Sequence, residues 1–146
     1  MTRRAAAWLP VMIRLTAVGY LAFFVPNLLL AATHRIGTLP PVLGRLFDWG
    51  AGGLNDPEVA VMFSTVYIAW AIFLFASARN PSANRLFLDF NLAANGAHFA
   101  VMLAMAVTMP DEHQHIAGVL ALGFITTAPL AACWLPVRRG RVLTGS

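Results

Sequence analysis

Residues 59–78 read VAVMFSTVYIAWAIFLFASA, and this stretch decides the fold class. None of its side chains is charged, and an α-helix of about 20 apolar residues spans the hydrocarbon core of a bilayer. Backbone polar groups in lipid must find partners within the structure, and a continuous helix satisfies its own. The sequence therefore predicts a transmembrane helix here.

Three further segments have the same character. They cover residues 15–32, 90–109 and 116–135, and each is long and apolar enough to cross a bilayer. A membrane β-barrel would show alternating strands instead, and none of these segments has the strongly charged face of a helix that lies on the membrane surface. We predict an all-α, membrane-spanning four-helix bundle that forms a single domain over residues 1–146.

The composition supports a membrane protein. Of the 146 residues 59% are hydrophobic and 11% charged, whereas soluble domains carry about 25% charged residues. This excludes a disordered chain, a coiled coil and an ordinary cytosolic enzyme. All basic residues are arginines beside apolar runs, which favours lipid headgroups over nucleic acid as their partner. Cys133 is the single cysteine, so neither an internal disulfide nor a Cys/His zinc motif is expected.

The arginines predict the orientation of the chain. Cytoplasmic segments of membrane proteins are enriched in Lys and Arg. Eight arginines precede the first predicted helix, link the second to the third or follow the fourth, and the third loop has none. We expect both termini in the cytoplasm and the protein in a bacterial inner membrane. The eight are Arg3, Arg4, Arg14, Arg79, Arg85, Arg138, Arg139 and Arg141.

The first outer loop is long and apolar, reading TLPPVLGRLFDWGAGGLNDPE over residues 38–58. Its apolar residues and terminal tryptophan predict a short interfacial helix from Pro41 to Trp49, followed by a glycine-rich break. Asp56 and Pro57 then open the second predicted helix, because proline suits the first turn and acidic residues suit the positive end of the helix dipole.

The third predicted helix carries polar residues at membrane depth. Asn91, Asn95, His98 and Met102 recur at i, i+4, i+7 and i+11, so they share one face. This face either binds a cofactor, a substrate or protons, or supplies hydrogen bonds between helices. His98 is the candidate axial ligand of a haem or chlorophyll, with Asn95 and Asn91 as candidate cofactor-binding neighbours. No second histidine is expected at this depth, which argues against a bis-histidine haem within one subunit.

A second face of the same helix carries small residues. Gly96, Ala100 and Ala104 form a small-xxx-small series. Small residues let two helix backbones approach closely in a membrane. This face predicts helix packing and indicates no chemistry.

The third loop carries a candidate metal site. Its candidate ligands are His115, Glu112 and His113, and imidazole and carboxylate groups suit Zn²⁺, Cu²⁺ or iron. Glu112 and His115 would share one helical face if the fourth helix began there. The alternative is a solvated acidic turn that suits the N-terminus of the fourth helix.

Residues 55–136 resemble a family of small bacterial four-helix integral membrane proteins that form a domain of unknown function. The resemblance rests on ARNPSANR at 78–85, AHFAVM at 97–102 and DEHQHIAG at 111–118, and the first 50 residues match less well. The resemblance implies a four-helix membrane fold, and it does not assign an activity. It draws attention to Arg79, Pro81, Arg85, His98 and His115.

The small size, the tight loops and the small-residue face favour an accessory or interaction subunit that packs against itself or a larger membrane complex. The sequence shows no convergent set of catalytic residues that would favour an enzyme. One alternative is a membrane redox protein that binds haem or a metal through His98 or through Glu112 and His115. Another is an oligomeric transporter or proton channel lined by Asn91, Asn95 and His98. Haem, chlorophyll and a divalent metal all remain open as cofactors.

Overall fold

The computed structural model describes residues 2–35 and 56–142, and within these ranges the chain is all-helical. Helix α1 spans Thr2–Ala32, α2 spans Pro57–Ser77, α3 spans Arg85–Thr108 and α4 spans Ile116–Val142, with a 3₁₀ helix over Pro110–His115. Three of these helices, α1, α2 and α3, are long and apolar enough to cross a membrane. The interfacial helix predicted from Pro41 to Trp49 lies outside the described residues.

Three helices extend well beyond the predicted boundaries. Helix α1 begins at Thr2 rather than near Leu15, α3 begins at Arg85 rather than at Phe90, and α4 continues past Leu135 to Val142. The prediction counted only the length needed to cross hydrocarbon. Backbone hydrogen bonds inside a helix are equally available in the headgroup region, so a helix can continue into its arginine-rich ends.

The start of α2 follows from its sequence. The Asp56 carboxylate accepts hydrogen bonds from the backbone N–H groups of Glu58 and Val59, at 2.9 and 3.5 Å. Pro57 occupies the first turn, where its missing N–H would have no partner within the helix. This confirms the predicted helix start.

The end of α1 is closed by a Schellman motif. The backbone N–H of Arg35 donates to the carbonyl of Leu30 at 2.7 Å, and that of His34 donates to Ala31 at 3.0 Å. His34 adopts the left-handed conformation with φ 53°, which glycine usually occupies in this motif.

Helix α1 packs against both α2 and α4, and α3 packs against α4. Helices α2 and α3 meet through aromatic side chains, which we call the α2–α3 seam. The seam comprises Phe63, Tyr67, Trp70 and Phe73 of α2 with Phe87, Phe90 and His98 of α3. Trp70 stacks on Phe90 with ring centroids 5.4 Å apart, and Phe73 lies 6.2 Å from Phe87.

The core runs along the inside of the bundle and takes side chains from all four helices, including Ile13, Leu74, Leu88 and Trp134. Large apolar side chains also cover the outside, such as Phe124, which is 72% exposed. A soluble monomer rarely exposes such extensive apolar surface, whereas a bilayer provides an apolar solvent for it.

Candidate functional site

The interior of the bundle contains buried asparagines that are hydrogen-bonded. Asn27 Nδ2 on α1 donates to Ser64 Oγ on α2 at 2.9 Å, and both residues are fully buried. On α3, Asn95 Nδ2 donates to the backbone carbonyl of Asn91 at 2.8 Å and lies 3.3 Å from the Asn91 side-chain oxygen. The predicted polar face of α3 therefore points into the bundle at Asn91 and Asn95.

His98 lies at the edge of this polar face. Its imidazole is half-buried in the α2–α3 seam, with ring centroids 5.9 Å from Phe63, 6.4 Å from Tyr67 and 5.5 Å from Phe99. Met102, one turn further along α3, is also half-buried. The ring of His98 makes no hydrogen bond to any residue within 2–35 and 56–142.

Tyrosine and tryptophan side chains surround the asparagines. The Tyr20 phenol on α1 lies beside the Asn95 side chain, and its ring meets the Tyr67 ring edge-on at 5.2 Å. Tyr67 stacks on Trp70 at 5.3 Å. The indole N–H of Trp70 is buried and has no acceptor among the described residues, and the Tyr20 ring lies at 75° to the indole plane.

Sequence reasoning overlooked Tyr20, Asn27, Ser64, Tyr67 and Trp70. The sequence did contain a signal for the pair Asn27 and Ser64. Asn27 lies near the C-terminal end of the first apolar segment and Ser64 near the N-terminal end of the second, so antiparallel helices bring them to the same level of the bundle.

The N-terminal end of α3 is joined to α4 by a carboxylate. Asp89 accepts hydrogen bonds from Trp134 Nε1 and from Arg138 Nε, each at 2.8 Å, through different oxygens. Trp134 is 1% exposed, whereas the Asp89 side chain is 30% exposed. This cluster fixes the register between the two helices.

The 3₁₀ turn between α3 and α4 brings together two of the three predicted metal ligands. Glu112 Oε2 lies 3.3 Å from His115 Nε2, and both residues are more than nine-tenths buried. A 3₁₀ helix has three residues per turn, so the i and i+3 side chains lie one above the other. The two side chains share a face of this 3₁₀ helix, and not of the fourth helix as predicted, because that helix begins only at Ile116.

His113 is not part of this pair. It is exposed, and its Nε2 lies 3.0 Å from the Val107 carbonyl at the end of α3. Within the described ranges, no group of three or more His, Cys, Asp or Glu side chains is placed to hold a metal ion. The 3₁₀ turn thus offers two neighbouring ligands, one carboxylate and one imidazole.

No family model matches this sequence, and it has no significant match to a curated protein or to a solved structure. The resemblance to an uncharacterised membrane family stays a prediction.

Proposed function

We propose that this chain is a four-span protein of a bacterial inner membrane that acts by packing laterally against copies of itself. Association with a larger membrane complex through the same surface is the alternative. Support for the fourth span comes from α4, whose residues 116–137 include no charged side chain, while Arg138 and Arg139 follow directly. An apolar helix that is long enough to cross the hydrocarbon core and ends in arginines is typical of a transmembrane helix that ends in the cytoplasm.

The proposed orientation places both termini in the cytoplasm. In an antiparallel bundle, the start of α1, the turn between α2 and α3 and the end of α4 lie on one side. Arginines occupy all three positions, with Arg4, Arg79, Arg85 and Arg139 among them. The positive-inside rule favours this side as cytoplasmic.

One observation carries the proposed association. The middle of the outward face of α3 carries five small residues, namely Ala93, Gly96, Ala97, Ala100 and Ala104, and all five are exposed, with the exposed side chains of Phe90 and Val101 beside them. A Cβ atom built on Gly96 would meet nothing within 4 Å. The face that suits close helix packing is therefore uncovered by the described part of this chain.

The buried polar residues support a packing role rather than a conduction path. Asn27 is bonded to Ser64, and Asn95 is bonded to Asn91. Helix association in lipid depends on van der Waals packing and interhelical hydrogen bonds, because lipid tails are as apolar as leucine. Within one chain the Asn27–Ser64 bond joins α1 to α2, whereas the Asn95–Asn91 bond lies within α3, and the outward face of α3 offers small residues to a second chain.

The test is a substitution that keeps the fold and blocks the face. In Gly96→Leu the added side chain points outward and holds a second helix away. Ala69→Leu is the matched control, because Ala69 is an exposed small residue near the middle of α2. We expect the association constant, measured by energy transfer between labelled copies in vesicles, to fall at least about ten-fold in Gly96→Leu, a loss of about 1.4 kcal/mol, and to be unchanged in Ala69→Leu. Equal transfer in both variants would refute the proposal.

A further inference from the structure

We propose that the α2–α3 seam binds a lipid-soluble quinone or quinol, with His98 hydrogen-bonded to an oxygen on its ring. This goes beyond the proposed association, because His98 and Gly96 lie about 200° apart around α3, given about 100° of rotation per residue.

The imidazole of His98 supplies the first reason. It lies near the middle of α3 and forms no hydrogen bond within the described ranges. A polar group in hydrocarbon without a partner is costly, and acyl chains offer neither donors nor acceptors. A half-buried imidazole at this depth therefore favours a partner that arrives from outside the described chain.

The route of arrival follows from the exposure of neighbouring rings. Phe63 is 37% exposed and Phe90 is 55% exposed, so the seam opens on the outer surface of the bundle, where the proposed spans place lipid. A ligand that enters here must be soluble in the membrane. It meets the exposed faces of Phe63 and Phe90 first, because the opposite face of Phe90 already stacks on Trp70 with ring centroids 5.4 Å apart. Offset stacking on such rings favours a planar aromatic or quinonoid ring.

The uncharged lining of the seam restricts the class of ligand that it can bind. The seam residues are uncharged aromatic side chains with one imidazole, and the nearest acidic residue along α3, Asp89, is bonded to Trp134 and Arg138. A ligand carrying carboxylates would bury charge here without a counter-ion, which is strongly unfavourable. The seam therefore favours a neutral ring over a haem, which has two propionates.

The two nitrogens of imidazole fit both redox forms of such a ring. In the neutral ring one nitrogen donates a hydrogen bond and the other accepts one. The donor nitrogen can bind a quinone carbonyl, and the acceptor nitrogen can bind a quinol hydroxyl. Tyr67 and Trp70 form the inner wall of the seam, so tryptophan fluorescence reports on occupancy.

The experiment titrates the purified full chain in detergent with decylubiquinone and records tryptophan fluorescence. We expect saturable quenching in the native protein. In Trp70→Phe the saturable quenching should be lost, and in His98→Ala the Kd should be at least ten-fold larger. His98→Gln keeps a donor and an acceptor and should regain part of the affinity. His113→Gln, outside the seam, should bind as the native protein does.

Several results would overturn this inference. Quenching that rises linearly and equally in the native protein and His98→Ala would mean partition into the micelle only. A haem site would be indicated by two results together. Haemin would bind with a Soret shift that is lost in His98→Ala, and it would displace decylubiquinone. Should His98→Ala fail to fold, the comparison of His98→Gln with a folded His98→Phe decides, and equal affinities would refute the role of His98. Repeating the titration on Gly96→Leu separates quinone binding from self-association.

Discussion

Asp89 on α3 and Trp134 on α4 are joined by a 2.8 Å hydrogen bond from the indole N–H to the carboxylate, across 45 positions of sequence. The other carboxylate oxygen accepts from Arg138 Nε at 2.8 Å. A carboxylate near the start of an apolar helix is thus satisfied by one neutral donor and one cation, and it holds the N-terminal part of α3 against the C-terminal part of α4.

We predict that Asp89→Asn destabilises the bundle. Asparagine keeps the side-chain volume but offers one acceptor oxygen and leaves Arg138 without its counter-charge. The expected loss is about 1–2 kcal/mol, at the lower end for a charged hydrogen-bonded cluster because the carboxylate is partly exposed. Unfolding in mixed micelles measures it. Asp111→Asn is the control, because Asp111 is exposed on the 3₁₀ helix; equal stability of the two variants would refute the role of Asp89.

Asn27 and Ser64 provide a test of interhelical hydrogen bonding. Ser64→Ala leaves the buried Asn27 amide without its acceptor, so we expect a coupling energy of about 0.6–1.7 kcal/mol in a double-mutant cycle with Asn27→Leu. Thr65→Ala is the matched control, since the Thr65 hydroxyl bonds the Met62 carbonyl of its own helix. A coupling near zero would show that the pair contributes no interhelical stability.

His34→Gly should stabilise the protein. His34 is exposed and holds φ 53° at the end of α1, a conformation that glycine adopts without steric cost. The expected gain in unfolding free energy is about 1 kcal/mol. Ala32→Gly, inside the last helical turn, should lose about 0.5–1 kcal/mol. A loss of stability in His34→Gly would mean that the imidazole contributes more than the strain costs.

Glu112 and His115 should be energetically coupled. Their 3.3 Å approach in a buried turn predicts that removing either partner costs more than removing both. We expect a coupling above about 1 kcal/mol in the cycle of Glu112→Gln and His115→Gln. His113→Gln is the control and should show no coupling with Glu112→Gln, because His113 points toward the Val107 carbonyl. Equal couplings in the two cycles would contradict a specific pair.

The sequence predicts local features of this fold well. The second helix was expected over 59–78 and is observed over Pro57–Ser77, because Asp56 and Pro57 mark its start by local chemistry. The relation between Glu112 and His115 was also accessible, since it depends on a spacing of three residues within one turn.

The contacts between helices were harder to predict from the sequence. Helices α2 and α3 are joined by a short turn and yet meet mainly through rings, whereas α1 packs against α4 from the opposite end of the chain. Apolar residues cover every side of these helices, so hydrophobic periodicity does not show which face turns inward. The contacts of Tyr20 with Asn95 and of Trp134 with Asp89 depend on that choice.

The most direct test of the proposed association is cross-linking in native membranes. A Cys133→Ser background allows a single cysteine to be placed at Ala100, at the centre of the outward face of α3, or at Ala69 on α2 as the control. We predict that a short bismaleimide joins two copies through Ala100→Cys and not through Ala69→Cys. The absence of a cross-linked dimer at position 100, or equal dimer at both positions, would contradict the assignment of this face as the interface.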